Sequence, residues 1–153
     1  MIEQNDFTNN LFQFMQETFE SVNGIYLDRG TSLFETLETI SAEEASIPVG
    51  GKCASLAAQV AHVTFYLKTT ERYMFQNDTS RRDWGYSWRT VEKVTPEEWE
   101  EYKNKLRETY ERMGRLFREN PKWNEDNIGG AMAMVVHTAY HLGEIRQALC
   151  VLK

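Results

Sequence analysis

The chain has no long apolar stretch: its longest uninterrupted run, Ala131 to Val136, is far too short to span a bilayer. It begins Met-Ile-Glu-Gln-Asn-Asp, without the basic start and apolar segment of a secretory signal, so the expected location is the cytoplasm. Cysteine is scarce. Cys53 and Cys150 lie far apart with no Cys-x-x-Cys spacing, which argues against a disulfide scaffold and against a zinc finger. Positive charge is also in deficit, with a net charge of −6 and Arg81-Arg82 the only basic doublet outside the predicted helices. A duplex-DNA binder needs a concentrated basic face to displace counterions from phosphates, and none is evident. Neither a nucleic acid nor a membrane is expected as partner.

What is present is ordinary for one globular domain spanning residues 1–153, with 41% hydrophobic and 26% charged residues. No strand-like alternation, internal repeat or low-complexity tract interrupts it. Apolar residues recur at helical period at Phe7, Leu11, Phe14, Met15, Phe19 and Val22, and resume after Asn23-Gly24 at Tyr26, Leu33, Leu37 and Ile40. The first main helix is therefore expected either to kink at the glycine or to split. Ser41-Ala42-Glu43-Glu44 has the form of a capping box, and Pro48, Gly50 and Gly51 mark a loop.

A second main helix is expected from Ala54 to Gln76, with Leu56, Val60, Val63, Leu67 and Met74 as its seam. Ser55, Gln59, His62, Tyr66 and Tyr73 form the stripe beside that seam. Asn77 to Val94 is a long connection carrying Trp84, Tyr86 and Trp88, of a length that crosses a bundle or covers a site. The expectation here is that the tryptophans roof the core. Thr95-Pro96-Glu97-Glu98 is a strong helix start, and Trp99, Tyr102, Leu106, Tyr110, Met113 and Phe117 mark the buried side of the helix that follows. The last main helix is expected after Gly129-Gly130, with Ala131, Val135, Thr138, Leu142, Ile145, Leu149 and Leu152 as seam. Met134, His137, His141, Glu144 and Ala148 lie beside that seam. The fold class is all-α: a four-helix bundle with a long crossover between the second and third helices, in up-down-down-up order. That topology makes the second and fourth helices antiparallel and sets Cys53 and Cys150 at nearly the same height.

All three histidines of the chain fall on these core-flanking stripes. His137 and His141 stand one turn apart on one helix face, the spacing that chelates one divalent ion, and His62 has the equivalent offset on the second helix. Glu144, three residues after His141, can accept a hydrogen bond from an imidazole, act as a base toward bound water, or serve as a fourth ligand. A lone histidine beside an apolar face is usually a hydrogen-bonded core residue; three of three on such faces point to a site.

Leu56-Ala57-Ala58-Gln59-Val60-Ala61-His62-Val63 and His137-Thr138-Ala139-Tyr140-His141-Leu142-Gly143-Glu144-Ile145-Arg146-Gln147, with the aromatic crossover that ends in Trp99, resemble the DinB-like superfamily. The resemblance covers nearly the whole chain and is most specific in the second segment. It implies a four-helix bundle in which His62, His137 and His141 ligate one divalent metal ion, Zn2+ or Ni2+. It also implies a metal-dependent enzyme, a hydrolase or a thiol S-transferase using a low-molecular-weight thiol, and a homodimer, as members often are. The name derives from DNA-damage inducibility, and a non-catalytic metal-binding stress-response protein is the alternative. Many members carry a His-Arg-Gly-Gln run where this chain has His141-Leu142-Gly143-Glu144, so a carboxylate replaces an amide beside the metal position.

Overall fold

The computed structural model describes residues 1–153 and is all-helical. Its elements are α1 (Gln4–Phe19), α2 (Leu33–Leu37), α3 (Ala42–Ala45), α4 (Leu56–Gln76), α5 (Tyr86–Thr90), α6 (Pro96–Glu119) and α7 (Glu125–Leu152), with a 3-10 turn at Val49–Gly51. The expected seams form the core. Leu56, Val60, Val63, Leu67 and Met74 of α4 are buried against Trp99, Leu106, Met113 and Phe117 of α6 and Ala131, Val135, Leu142 and Ile145 of α7. No helix is long and apolar enough to cross a membrane.

Side-chain contacts fix the helix directions. Gln59 meets Glu144, His62 meets His141 and Tyr66 meets His137, so α4 and α7 run antiparallel. Glu71 receives a two-pronged hydrogen bond from Arg112, and Phe75 packs on Phe117 further along both helices, so α4 and α6 run in the same direction. The intervening connection crosses the length of the fold, as its size predicts. Phe19 stacks on Tyr110 while Arg118 lies over Phe12, which makes α1 antiparallel to α6. Cys53 shares a surface depression with Gln147 and Val151, so the start of α4 and the end of α7 lie at one end of the molecule; both cysteines are free and exposed.

Local chemistry sets the helix ends. The Thr95 hydroxyl accepts from the Glu98 N–H and the Glu98 carboxylate accepts from the Thr95 N–H, closing a capping box ahead of Pro96. The Ser55 hydroxyl accepts from the Ala58 N–H and starts α4. The last helix begins earlier than the glycine pair suggests. Asn124 Oδ1 accepts from the Asn127 N–H at 2.8 Å, and Glu125 and Asp126 place negative charge in the first turn. Gly129 and Gly130 therefore lie inside α7. A Cβ on Gly130 would stand 3.5 Å from Met74 Sδ, an ordinary contact, and one on Gly129 would meet nothing within 4 Å.

The first helical stretch splits rather than kinks, for a reason the hydrophobic period does not carry. Glu17 is fully buried, and its carboxylate accepts hydrogen bonds from the backbone N–H groups of Asn23, Ile25, Tyr26 and Leu27, at 2.6–2.9 Å. The chain after α1 is wrapped around that side chain instead of continuing as helix. Burial alone would raise this carboxyl, but the four N–H donors outweigh it and hold its pKa at about 2. Phe14 and Tyr26, expected on the buried face, are partly exposed, and Val22 lies beyond the helix end.

Two outcomes follow from these placements. Gly129→Ala removes helix-interior glycine entropy without a clash and should stabilise the protein by about 0.5–1 kcal/mol in denaturant unfolding; a loss of stability would mean the glycine is not helical. Glu17→Gln leaves buried N–H groups facing an amide and should cost about 2 kcal/mol or more. Because the folded pKa lies below the unfolded value of 4.5, the stability Glu17 contributes is complete above that value and disappears as the pH falls toward 2. The Gln variant should therefore lose less stability than wild type over that acid range.

Candidate metal centre

His62 on α4 and His137 and His141 on α7 converge, as the spacing predicts. Each contributes one ring nitrogen to a group whose members all lie within 4.8 Å of one another. The ring centroids of His62 stand 5.3 Å from His137 and 5.1 Å from His141. The carboxylate of Glu144 stands outside that group.

Hydrogen bonding fixes His141. Its Nδ1 is 2.5 Å from Gln59 Oε1 and 3.0 Å from Glu144 Oε2, two acceptors that call for a proton on Nδ1 and leave the lone pair on Nε2. Gln59 Nε2 in turn donates to Glu144 Oε2 at 3.1 Å, closing a three-membered polar ring between α4 and α7. Glu144 thus holds an imidazole, one of the three roles its position allows. Burial pushes its carboxyl up, but hydrogen bonds from Tyr140, Gln59 and the His141 ring N–H outweigh this and lower it below the usual range. It is ionised at neutral pH.

The other two rings are held by aromatic stacking. Tyr66 lies flat on His137, with centroids 3.8 Å apart and planes 14° apart, and Trp88 stacks on His62 at 4.3 Å and 28°. Trp88, carried by α5, therefore covers the histidines, whereas the sequence suggested that the crossover tryptophans roof the core. Nothing in the sequence of that connection signals the short helix α5, which is what delivers the ring. Gln59 and Tyr66 lie on the His62 stripe, where the helical period alone assigns them no role. The signal was in the spacing: one residue a turn before His62 and one a turn after it must flank the same site.

The donor set suits a divalent cation. His62 Nδ1 and His137 Nε2 are buried and have no hydrogen-bond partner, an arrangement that costs free energy unless something else satisfies the nitrogens. Burial, reinforced by the neighbouring rings, lowers the pKa of His62 and of His137 to about 4, and burial lowers that of His141 despite Glu144. All three are neutral near pH 7, the form that ligates metal. Tetrahedral bonds of about 2.0–2.1 Å put ligand nitrogens about 3.4 Å apart, a closure that small side-chain rotations provide.

The same shifts predict how the metal-free protein responds to acid. Folded His62 and His137 titrate at about 4 against 6.5 unfolded, so between those values the unfolded chain binds more protons. Stability should fall as the pH drops through that window. Melting of chelator-treated protein between about pH 7 and about pH 5 reads this, and His137→Gln should flatten the slope. A flat wild-type profile would contradict the buried, neutral triad.

Comparison with family models, with curated proteins and with solved structures yields no match to this chain, so the reading of the site rests on its own geometry and chemistry.

Proposed function

We propose that the protein is a metal-dependent enzyme of the DinB-like kind, its four long helices forming an up-down-down-up bundle and its divalent ion, Zn2+ or Ni2+, held by His62, His137 and His141. The observation that carries this reading is the convergence of three neutral imidazoles, two of them with buried, unpartnered nitrogens. A divalent ion bound there supplies Lewis acidity, which makes a water or a thiol nucleophilic near neutral pH. The reaction class is hydrolysis or thiol transfer, with a low-molecular-weight thiol as the candidate substrate and the cytoplasm as the setting.

The chain's own groups have distinct parts in this reading. Gln59 and Glu144 keep the Nδ1 proton on His141 and so direct its Nε2 lone pair. Tyr66 and Trp88 fix two rings by stacking and keep water off them. Glu144, ionised and joined to the triad through His141, can take up a proton released at the site. With three protein ligands and Glu144 occupied elsewhere, a coordination position stays open, which separates a reactive site from a closed structural one.

A second reading has one observation in its favour: the triad joins α4 to α7, so an ion there also staples two helices. A non-catalytic metal-binding stress protein needs nothing more. Metal analysis and a screen of thiols with electrophilic acceptors separate the two. Untagged protein should carry about one divalent ion per chain, lost in His137→Ala and in His141→Ala. Glu144→Gln should retain the ion while lowering turnover by about tenfold or more. Full metal content in either alanine variant would sink the triad. A tightly held ion with no turnover of any thiol would leave the stapling role.

A further inference from the structure

An open cavity lies beside the histidine cluster, and Tyr66 forms the wall between them. The cavity measures about 990 Å3, is open to solvent and is lined by residues of α4, the segment Asp78–Trp84 and Gly130. Tyr66 lines it and is also the ring that lies on His137. Trp84 packs against Tyr66 at 5.8 Å and edge-on against Phe65 at 5.4 Å. Tyr73 is the third aromatic ring of the lining, and Trp84 and Tyr73 are 46% and 42% exposed, so a ligand entering the cavity meets both.

The ion pairs around the cavity leave one arginine without an acid. Asp78 is bound by Arg82 at 2.6 Å and by the Ser80 hydroxyl and N–H. Asp83 is bound by Arg89. Arg81 lines the same cavity and makes no ion pair. Two acids and two arginines line the space, but Asp83 is paired with Arg89, which lies outside the lining, and Asp78 with Arg82, so Arg81 is the guanidinium without a carboxylate. This positive spot sits on a protein whose net charge is −6, so it is a local feature and no part of a basic face. A lone guanidinium presents a planar fork that fits one carboxylate by paired hydrogen bonds. Aromatic walls next to it suit a flat or aliphatic body, and the volume is that of a small-molecule site.

We propose that this cavity holds the non-reacting part of the substrate: a small carboxylate-bearing molecule whose apolar body lies on Trp84 and Tyr73 and whose carboxylate meets Arg81, with its reacting end passing Tyr66 toward the histidines. The link to the histidines rests on the function proposed above; the recognition of the carboxylate does not. Arg81 is a specificity residue in this arrangement, and Trp84 supplies the surface.

The test uses 3-phenylpropionate and its neutral amide, 3-phenylpropanamide, titrated calorimetrically into the full chain as purified and again after chelation. Chelation removes any ion to which a carboxylate would otherwise bind. The acid should bind about tenfold tighter than the amide, or more, in both preparations. Arg81→Gln should abolish the preference, Arg81→Lys should keep only part of it because an ammonium cannot reproduce the paired hydrogen bonds, and Trp84→Ala should weaken both ligands together. Helicity measured on the same samples shows that the variants fold. Equal affinity for acid and amide, no binding of either at millimolar concentration, or a preference that survives Arg81→Gln would each overturn the proposal. Metal content read alongside keeps the two ideas apart: a chain that takes up no ion yet discriminates the acid fails as a metalloenzyme and retains this binding site.

Discussion

Three basic rings packed together away from water can coexist only if none is charged, and the arrangement of α4 and α7 follows from that constraint. Desolvation removes their protons near neutral pH, and proximity adds to the effect, since protonating one ring would penalise the next. Neutral imidazole is a good ligand and a poor buried group without a partner. Gln59 and Glu144 satisfy one ring, while the nitrogens left over on the other two are what an ion would satisfy. The polar ring of Gln59, His141 and Glu144 also fixes the register of two long helices that otherwise meet through aliphatic seams tolerant of sliding.

The crossover completes the site because it must travel the length of the molecule. A short turn after α4 would have made α6 its antiparallel neighbour and left no chain over the histidines. With α4 and α6 running the same way, residues 77–95 pass the outer face of α4, where Trp84 reaches Tyr66 and Trp88 reaches His62. The same passage walls the neighbouring cavity with Asp78, Arg81 and Arg82. Helix direction, the covering aromatic rings and the cavity are thus consequences of one long connection.

The helical class, the seams of α4, α6 and α7, the cap at Thr95 and the histidine convergence were legible in the sequence because each depends on a spacing along one helix. What escaped depends on folded geometry. Glu17 looks like a solvated helix residue; only the fold shows four backbone N–H groups turned toward it. Gly129-Gly130 reads as a boundary, whereas the cap is Asn124, whose Asn-x-x-Asn pattern is a weaker signal than the usual box ending in glutamate or glutamine. Gln59 became meaningful once α7 lay antiparallel across it. The place of Trp88 over His62 is not legible in the sequence because a loop carries no periodicity to say which surface its rings will cover.

Whether three imidazoles share one ion decides what this pair of helices does. X-ray absorption at the metal edge of zinc- or nickel-loaded protein measures this directly, because imidazole rings leave a characteristic multiple-scattering pattern. The predicted result is three imidazole nitrogens at about 2.0–2.1 Å, with one or more light-atom scatterers completing the shell. A shell containing sulfur from Cys53 or Cys150, or one with fewer than two imidazoles, would contradict it.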